Sequence, residues 1–132
     1  MLIYLYDGGN NMGFRLFKCN KCGTLVFSMD DEPFGATCCG EDLVEQVPNS
    51  VDASFEKHLP TYIKEDNKLI AEVHHVMEED HYIEWIMALT DGKEDIRYLE
   101  PYMDAKVVFE NVNVKELYAY CNKHGLWKTI VE

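Results

Sequence analysis

Cys121 and His124 stand three residues apart in the segment Cys121-Asn122-Lys123-His124-Gly125-Leu126-Trp127, while His58, His75 and His81 lie far upstream. A thiolate and several imidazoles are metal ligands, and pieces so distant in sequence need a fold to gather them. Four imidazoles and one thiolate exceed what a structural zinc site takes, because zinc is satisfied by four ligands in tetrahedral geometry. Five ligands of mixed softness suit iron and leave one octahedral position free for a small molecule. That arrangement is catalytic in kind.

A second set of thiols precedes it. Cys19-X-X-Cys22 forms a turn from which two sulfurs can point at one ion, and Cys38 and Cys39 follow as an adjacent pair sixteen residues after Cys22. Adjacent Cα atoms are only ~3.8 Å apart, so binding one metal through both sulfurs strains the sulfur–metal–sulfur geometry. The pattern departs from the two separated CxxC knuckles of rubredoxins and zinc ribbons. A vicinal disulfide is the minor alternative.

Glu56-Lys57-His58, the run from His75 to Ile86 and the segment from Cys121 to Trp127 together resemble the active-site signatures of superoxide reductases. The four cysteines resemble the small desulforedoxin iron module. The two-module member of that family is desulfoferrodoxin, and the resemblance runs from about Met12 to Glu132. It implies a mononuclear iron held equatorially by His58, His75, His81 and His124, with Cys121 axial. It also implies a second iron on Cys19, Cys22, Cys38 and Cys39. That centre would relay single electrons, or would be a staple if zinc replaces the iron.

Lys57 is then the positive charge that guides superoxide and helps deliver protons. Glu56 resembles the carboxylate that takes the sixth position of oxidised iron. The implied reaction is one-electron reduction of superoxide to hydrogen peroxide, with rubredoxin or a similar small protein as donor and a homodimer as the assembly. The rivals are a non-catalytic electron carrier, with the tetrathiolate as its working centre, and a zinc-loaded structural module.

One ligand position has two candidates. The family usually has His-Pro-Met where this chain has His75-Val76-Met77. His75 is chosen because its six-residue step to His81 matches the family; His74 could replace it. Neighbouring residues of an extended segment face opposite sides, so the two cannot both coordinate easily.

Composition sets the frame. The 132 residues carry 24 acidic and 12 basic side chains, for a net charge of −12, and 47% are hydrophobic. Such a balance argues against nucleic acid or an anionic membrane surface, which both require a basic footprint. It also repels an anionic substrate, so a local positive patch must offset the overall field. No run reads as a secretory signal or a membrane span. A reducing, cytoplasmic location is the default expectation, and there the five cysteines serve metals rather than disulfides.

The elements that must position these ligands read as all-β. Residues 12–48 form the small metal-bound module, with β-prone pieces at Arg15–Lys18, Thr24–Ser28 and Asp42–Val47. Such a segment has too little apolar surface to be stable alone, and a metal can supply the difference. Pro48-Asn49-Ser50 reads as a linker. Residues 49–132 contain strand candidates at Lys68–Val73, His81–Thr90, Arg97–Leu99, Lys106–Val112 and Lys115–Tyr120. Asp91-Gly92 marks a turn.

Several short strands suggest a β-sandwich, and the family resemblance makes it a seven-stranded, immunoglobulin-like one. Val114–Cys121 is the nearest thing to a helix. Tyr82, Ile83, Trp85 and Ile86 are assigned to the core, and Trp127 is expected beside the site. Residues 1–11 read as a leader or misassigned start, with Met12 as the natural beginning. A native intact mass that includes them would refute this.

Overall fold

The computed structural model describes residues 14–28, 35–110 and 113–132. The expected start at Met12 and residues 111–112 lie outside that set. The chain divides into two compact units, one ending at Val47 and the other running from Pro48 to Glu132. Every regular element among the described residues is a strand.

In the first unit, β1 (Arg15–Lys18) pairs antiparallel with β2 (Leu25–Ser28). Two short pieces, β3 (Thr37–Cys38) and β4 (Glu41–Asp42), form a separate hairpin. β5 (Val44–Glu45) returns to the free edge of β1. The stretch read as one strand over Asp42–Val47 is therefore two strands that pair with different partners. The change of partner is fixed by Leu43 N–H donating to the Ala36 carbonyl at 3.0 Å and Gln46 N–H donating to the Leu16 carbonyl at 2.8 Å. Leu16, Phe17 and Cys19 supply the buried hydrophobic side chains among the described residues.

Among the described residues the second unit has seven strands in two antiparallel sheets, as the resemblance implied. β6 (Thr61–Glu65), β7 (Lys68–Glu72) and β10 (Lys106–Phe109) make one sheet, with β7 central. β8 (Ile83–Thr90), β9 (Lys93–Tyr98), β11 (Glu116–Cys121) and β12 (Gly125–Ile130) make the other, in the order β9-β8-β11-β12. Alternate residues of both sheets meet in one core: Leu69, Ala71, Val107 and Phe109 from the first, and Ile83, Ile86, Ala88, Leu117, Ala119 and Cys121 from the second. Fully burying a side chain such as Leu or Ile is worth about 1.5–3 kcal/mol.

Trp85, Met87, Leu89, Tyr118 and Tyr120, at the intervening positions, are buried as well. Burial on both faces explains why β8 reads as a near-continuous apolar run. Val114–Cys121 lies mostly in β11, so its apolar pattern belongs to a central strand and not to a helix. The β6–β7 hairpin turns at Asp66 and Asn67, both left-handed at φ 52° and 63°. Two consecutive positive φ values define the twist-compatible two-residue turn that Asp and Asn tolerate best after glycine.

Candidate metal centres

The five residues singled out around Cys121 arrive from four places at one end of the second unit. His58 sits on a turn before β6, held by Lys57 N–H and His58 N–H donating to the carbonyls of Ser54 and Phe55 at 3.3 and 3.1 Å. His75 follows β7. His81 closes a small antiparallel bridge with Glu78, whose N–H donates to the His81 carbonyl at 2.9 Å. Cys121 ends β11, and His124 lies in the turn that leads through Gly125, at φ 80°, into β12. The register between β11 and β8 shifts at Tyr120/Cys121. Such a bulge re-aims a side chain next to a functional site.

One ligand atom from each of His58, His75, His81, His124 and Cys121 lies within 4.8 Å of all the others. The imidazoles form a closed cycle. His58–His75, His75–His81, His81–His124 and His124–His58 have ring centroids 4.8, 4.6, 5.2 and 4.9 Å apart, each pair steeply inclined. Cys121 is fully buried, and its Sγ lies 3.4 Å from His75 Nε2 and 3.8 Å from His124 Nδ1. His74 is exposed and outside the group, and the structure brings in His75, the residue preferred from the sequence.

Second partners set which nitrogen faces inward. His58 Nδ1–H donates to the Ser54 carbonyl at 2.7 Å, and His75 Nδ1–H donates to the Val76 carbonyl. Each Nε2 is thereby left with a lone pair turned to the centre, as metal-binding histidines require. His58 Nε2 then meets His124 Nδ1 at 3.1 Å. His81 Nε2 is buried without a hydrogen-bond partner. A buried nitrogen with nothing to bond is costly unless a cation takes its lone pair.

The electrostatics agree. Burial pushes His58 and His75 below the usual histidine range, which keeps them neutral. Burial raises the Cys121 thiol, opposed by the backbone N–H groups of Lys123 and His124, so a thiolate there calls for a metal. The residues fit a mononuclear ion.

Asn122 is the residue whose role sequence reasoning missed. Its side chain accepts the Tyr82 N–H at 3.0 Å and donates to the Asp80 carbonyl at 3.0 Å, on both sides of His81. Its place inside the quoted signature was the only signal. Trp127 lies beside the site as expected, stacked on His58 at 4.8 Å and 21°, with Nε1–H donating to the His124 carbonyl at 3.1 Å. Glu56 and Lys57 are both exposed on the His58 turn. Lys57 lines an open cleft of about 570 Å³ with His75, Val76, Met77, Tyr102 and Met103.

The four remaining cysteines also converge. Cys22 Sγ lies 3.7 Å from Cys38 Sγ, and Cys38 Sγ lies 3.9 Å from Cys39 Sγ. Sulfurs at about 2.3 Å from a tetrahedral ion stand about 3.8 Å apart, whereas a disulfide needs about 2.0 Å. All five thiols are free, so no vicinal disulfide forms. Cys39 adopts φ 55°, the left-handed backbone that lets adjacent cysteines serve one centre. The thiols cannot ionise independently. The Thr24 hydroxyl pulls Cys22 down to about 6, while hydrogen bonds with Cys19 and its neighbours push Cys38 up to about 12. A cation removes that conflict.

A seven-stranded sandwich with a His₄Cys cluster at one end, joined to a four-cysteine module, defines a two-centre metalloprotein. The family model for desulfoferrodoxin matches residues 50–130. Desulfoferrodoxin from Clostridium acetobutylicum is 33% identical over 89% of this chain and 97% of its own. Desulfoferrodoxin from Desulfarculus baarsii is 36% identical over 86% and 94%. The crystal structure of superoxide reductase from Treponema pallidum overlays with a TM-score of 0.71 at 27% identity, covering 88% of this chain and 98% of that one. The chain belongs to the desulfoferrodoxin family.

Proposed function

We propose that the chain is a superoxide reductase, converting superoxide, one electron and two protons into hydrogen peroxide. The observation that carries this reading is the convergence of four imidazole nitrogens and the Cys121 sulfur within 4.8 Å. The solved relative from Treponema pallidum bears that activity in its name. Iron bound there supplies the electron, with the thiolate increasing its donor strength.

The chain's own residues do the rest. His58, His75 and His81 through Nε2, His124 through Nδ1 and Cys121 through Sγ would hold the metal. Four neutral imidazoles and one thiolate leave a ferrous ion a local charge near plus one, which draws an anion despite the acidic surroundings. Lys57 adds a second positive charge in the cleft beside His75 and helps organise protons. Glu56, on the same turn as His58, would supply a carboxylate able to compete with product for the metal.

Residues 12–48 act as a desulforedoxin-like module, with iron or zinc on Cys19, Cys22, Cys38 and Cys39, and 49–132 as the catalytic domain. The electron comes from rubredoxin or a similar small donor. The working form is a cytoplasmic homodimer. No described helix is long and apolar enough to cross a membrane.

The deciding experiment reconstitutes the protein with iron anaerobically and follows superoxide with a defined reductant. One hydrogen peroxide per superoxide, without oxygen evolution, is expected. Release of oxygen, or electron transfer without loss of superoxide, would overturn the assignment.

A further inference from the structure

Thr24 lies two residues after Cys22, and its side-chain Oγ1 stands 3.0 Å from Cys22 Sγ. A metal-bound cysteine is a thiolate with no proton to give. The Thr24 hydroxyl is therefore the donor in the bound state. The Thr24 backbone N–H also bonds that sulfur, but any non-proline residue offers an N–H. The hydroxyl is specific to this side chain. The turn that presents it is closed by Cys19 N–H donating to the Thr24 carbonyl at 2.9 Å and Gly23 N–H donating to the Cys19 carbonyl at 2.8 Å. Gly23 at φ 81° permits that closure.

We infer that Thr24 tunes the four-cysteine centre by donating a hydrogen bond to the Cys22 thiolate, favouring the reduced form of a bound iron. This tuning role rests on the reading that the centre holds a redox-active iron. A hydrogen bond to sulfur withdraws electron density, and hydrogen bonds to cluster sulfurs are among the levers that set potential. Ferrous tetrathiolate carries one more negative charge than ferric, so its sulfurs accept more strongly. The hydroxyl stabilises reduction and raises the potential. Thr24 is a positioning residue: it touches a ligand and not the metal.

The test uses the full chain, reconstituted with iron, with the five-ligand centre as an internal control. Thr24→Val is expected to shift the ratio of reduced to oxidised tetrathiolate about tenfold toward oxidised, or about 59 mV lower for one electron. Thr24→Ser should restore it, and the His₄Cys potential should not move. A retained metal with an unchanged potential overturns the inference. If Thr24→Val and Thr24→Ala both lose the metal while Thr24→Ser keeps it, the hydroxyl is structural and the tuning role fails.

A second readout separates this from the redox reading itself. In the cobalt(II)-loaded chain, Thr24→Val should move the thiolate-to-metal band to lower energy, with Thr24→Ser unshifted. An unmoved band overturns the inference whatever iron does. A moved band in a protein whose wild-type iron has no reversible couple keeps the contact and overturns the relay.

Discussion

Asn122 and Tyr82 bond to each other twice: Tyr82 N–H donates to Asn122 Oδ1 at 3.0 Å, and Asn122 N–H donates to the Tyr82 carbonyl at 3.3 Å. One residue between Cys121 and His124 thus fixes the residue after His81. With the further bond to Asp80, two ligand-bearing loops become one body. Replacing Asn122 by Ala removes both side-chain bonds. Loss of partners bonded directly to ligand side chains costs about 10–100-fold in metal affinity, and loss of this backbone clamp should cost about tenfold, the lower end of that range. Competition against a graded chelator reads this directly; unchanged affinity would show that the loops hold without the clamp.

The choice between the paired histidines yields a sharper contrast. His75→Ala should abolish stable occupancy of the His₄Cys site, whereas His74→Ala should leave it intact, because His74 is exposed and outside the group. Metal content after gel filtration distinguishes them. Val76→Pro should stabilise the metal-free chain by about 0.4–1 kcal/mol through the unfolded state. Denaturant unfolding measures that gain, and a loss would mean that Val76 has a backbone conformation that proline cannot share.

Lys57 tests the electrostatic proposal. Lys57→Ala should slow the bimolecular reaction with superoxide about tenfold and flatten its salt dependence. Lys57→Arg should preserve most of both. Pulse-generated superoxide at several ionic strengths supplies the rates. Equal rates at low salt for wild type and Lys57→Ala would exclude steering.

Acid should weaken the metal-free fold. Burial holds His58 and His75 below the ordinary histidine value, so the folded state resists protonation more than the unfolded chain. Their contribution is present above the unfolded value near 6.5. It is lost as pH falls from there through the lower folded values. Chemical denaturation of metal-free protein should show stability declining below about pH 6.5, with a smaller decline in His58→Gln. A flat profile from pH 7 to 5 would contradict the shifts.

The elements legible in the sequence were mostly those with a buried apolar pattern. β7, β8 and β11 are central strands, and their Leu, Ile, Trp and Tyr announce them. β6 and β12 were missed, and β9 was read only at its end. All three are sheet edges. Edge strands carry charge to discourage further pairing. Lys64 and Glu65 in β6, the Lys-Glu-Asp opening of β9 and Lys128 in β12 hide the period of two.

The site was more legible than the sheets. Metal ligands must be particular residue types, and the family resemblance picks out His58, His75, His81, Cys121 and His124 without coordinates. His75 is preferred to His74 for its six-residue step to His81, and the fold brings His75 into the group. Asn122 was invisible as a function because its work depends on which backbone groups lie within 3 Å, and no spacing encodes that.

The stack of Trp127 on His58 gives the protein an intrinsic optical reporter. An indole in face contact with a ligand imidazole will have its emission quenched when a paramagnetic or strongly absorbing ion arrives. Trp85, stacked instead on Tyr120 at 5.6 Å, provides background emission. Filling of the His₄Cys centre can therefore be followed in unlabelled protein by fluorescence alone, with Trp127→Phe silencing the signal.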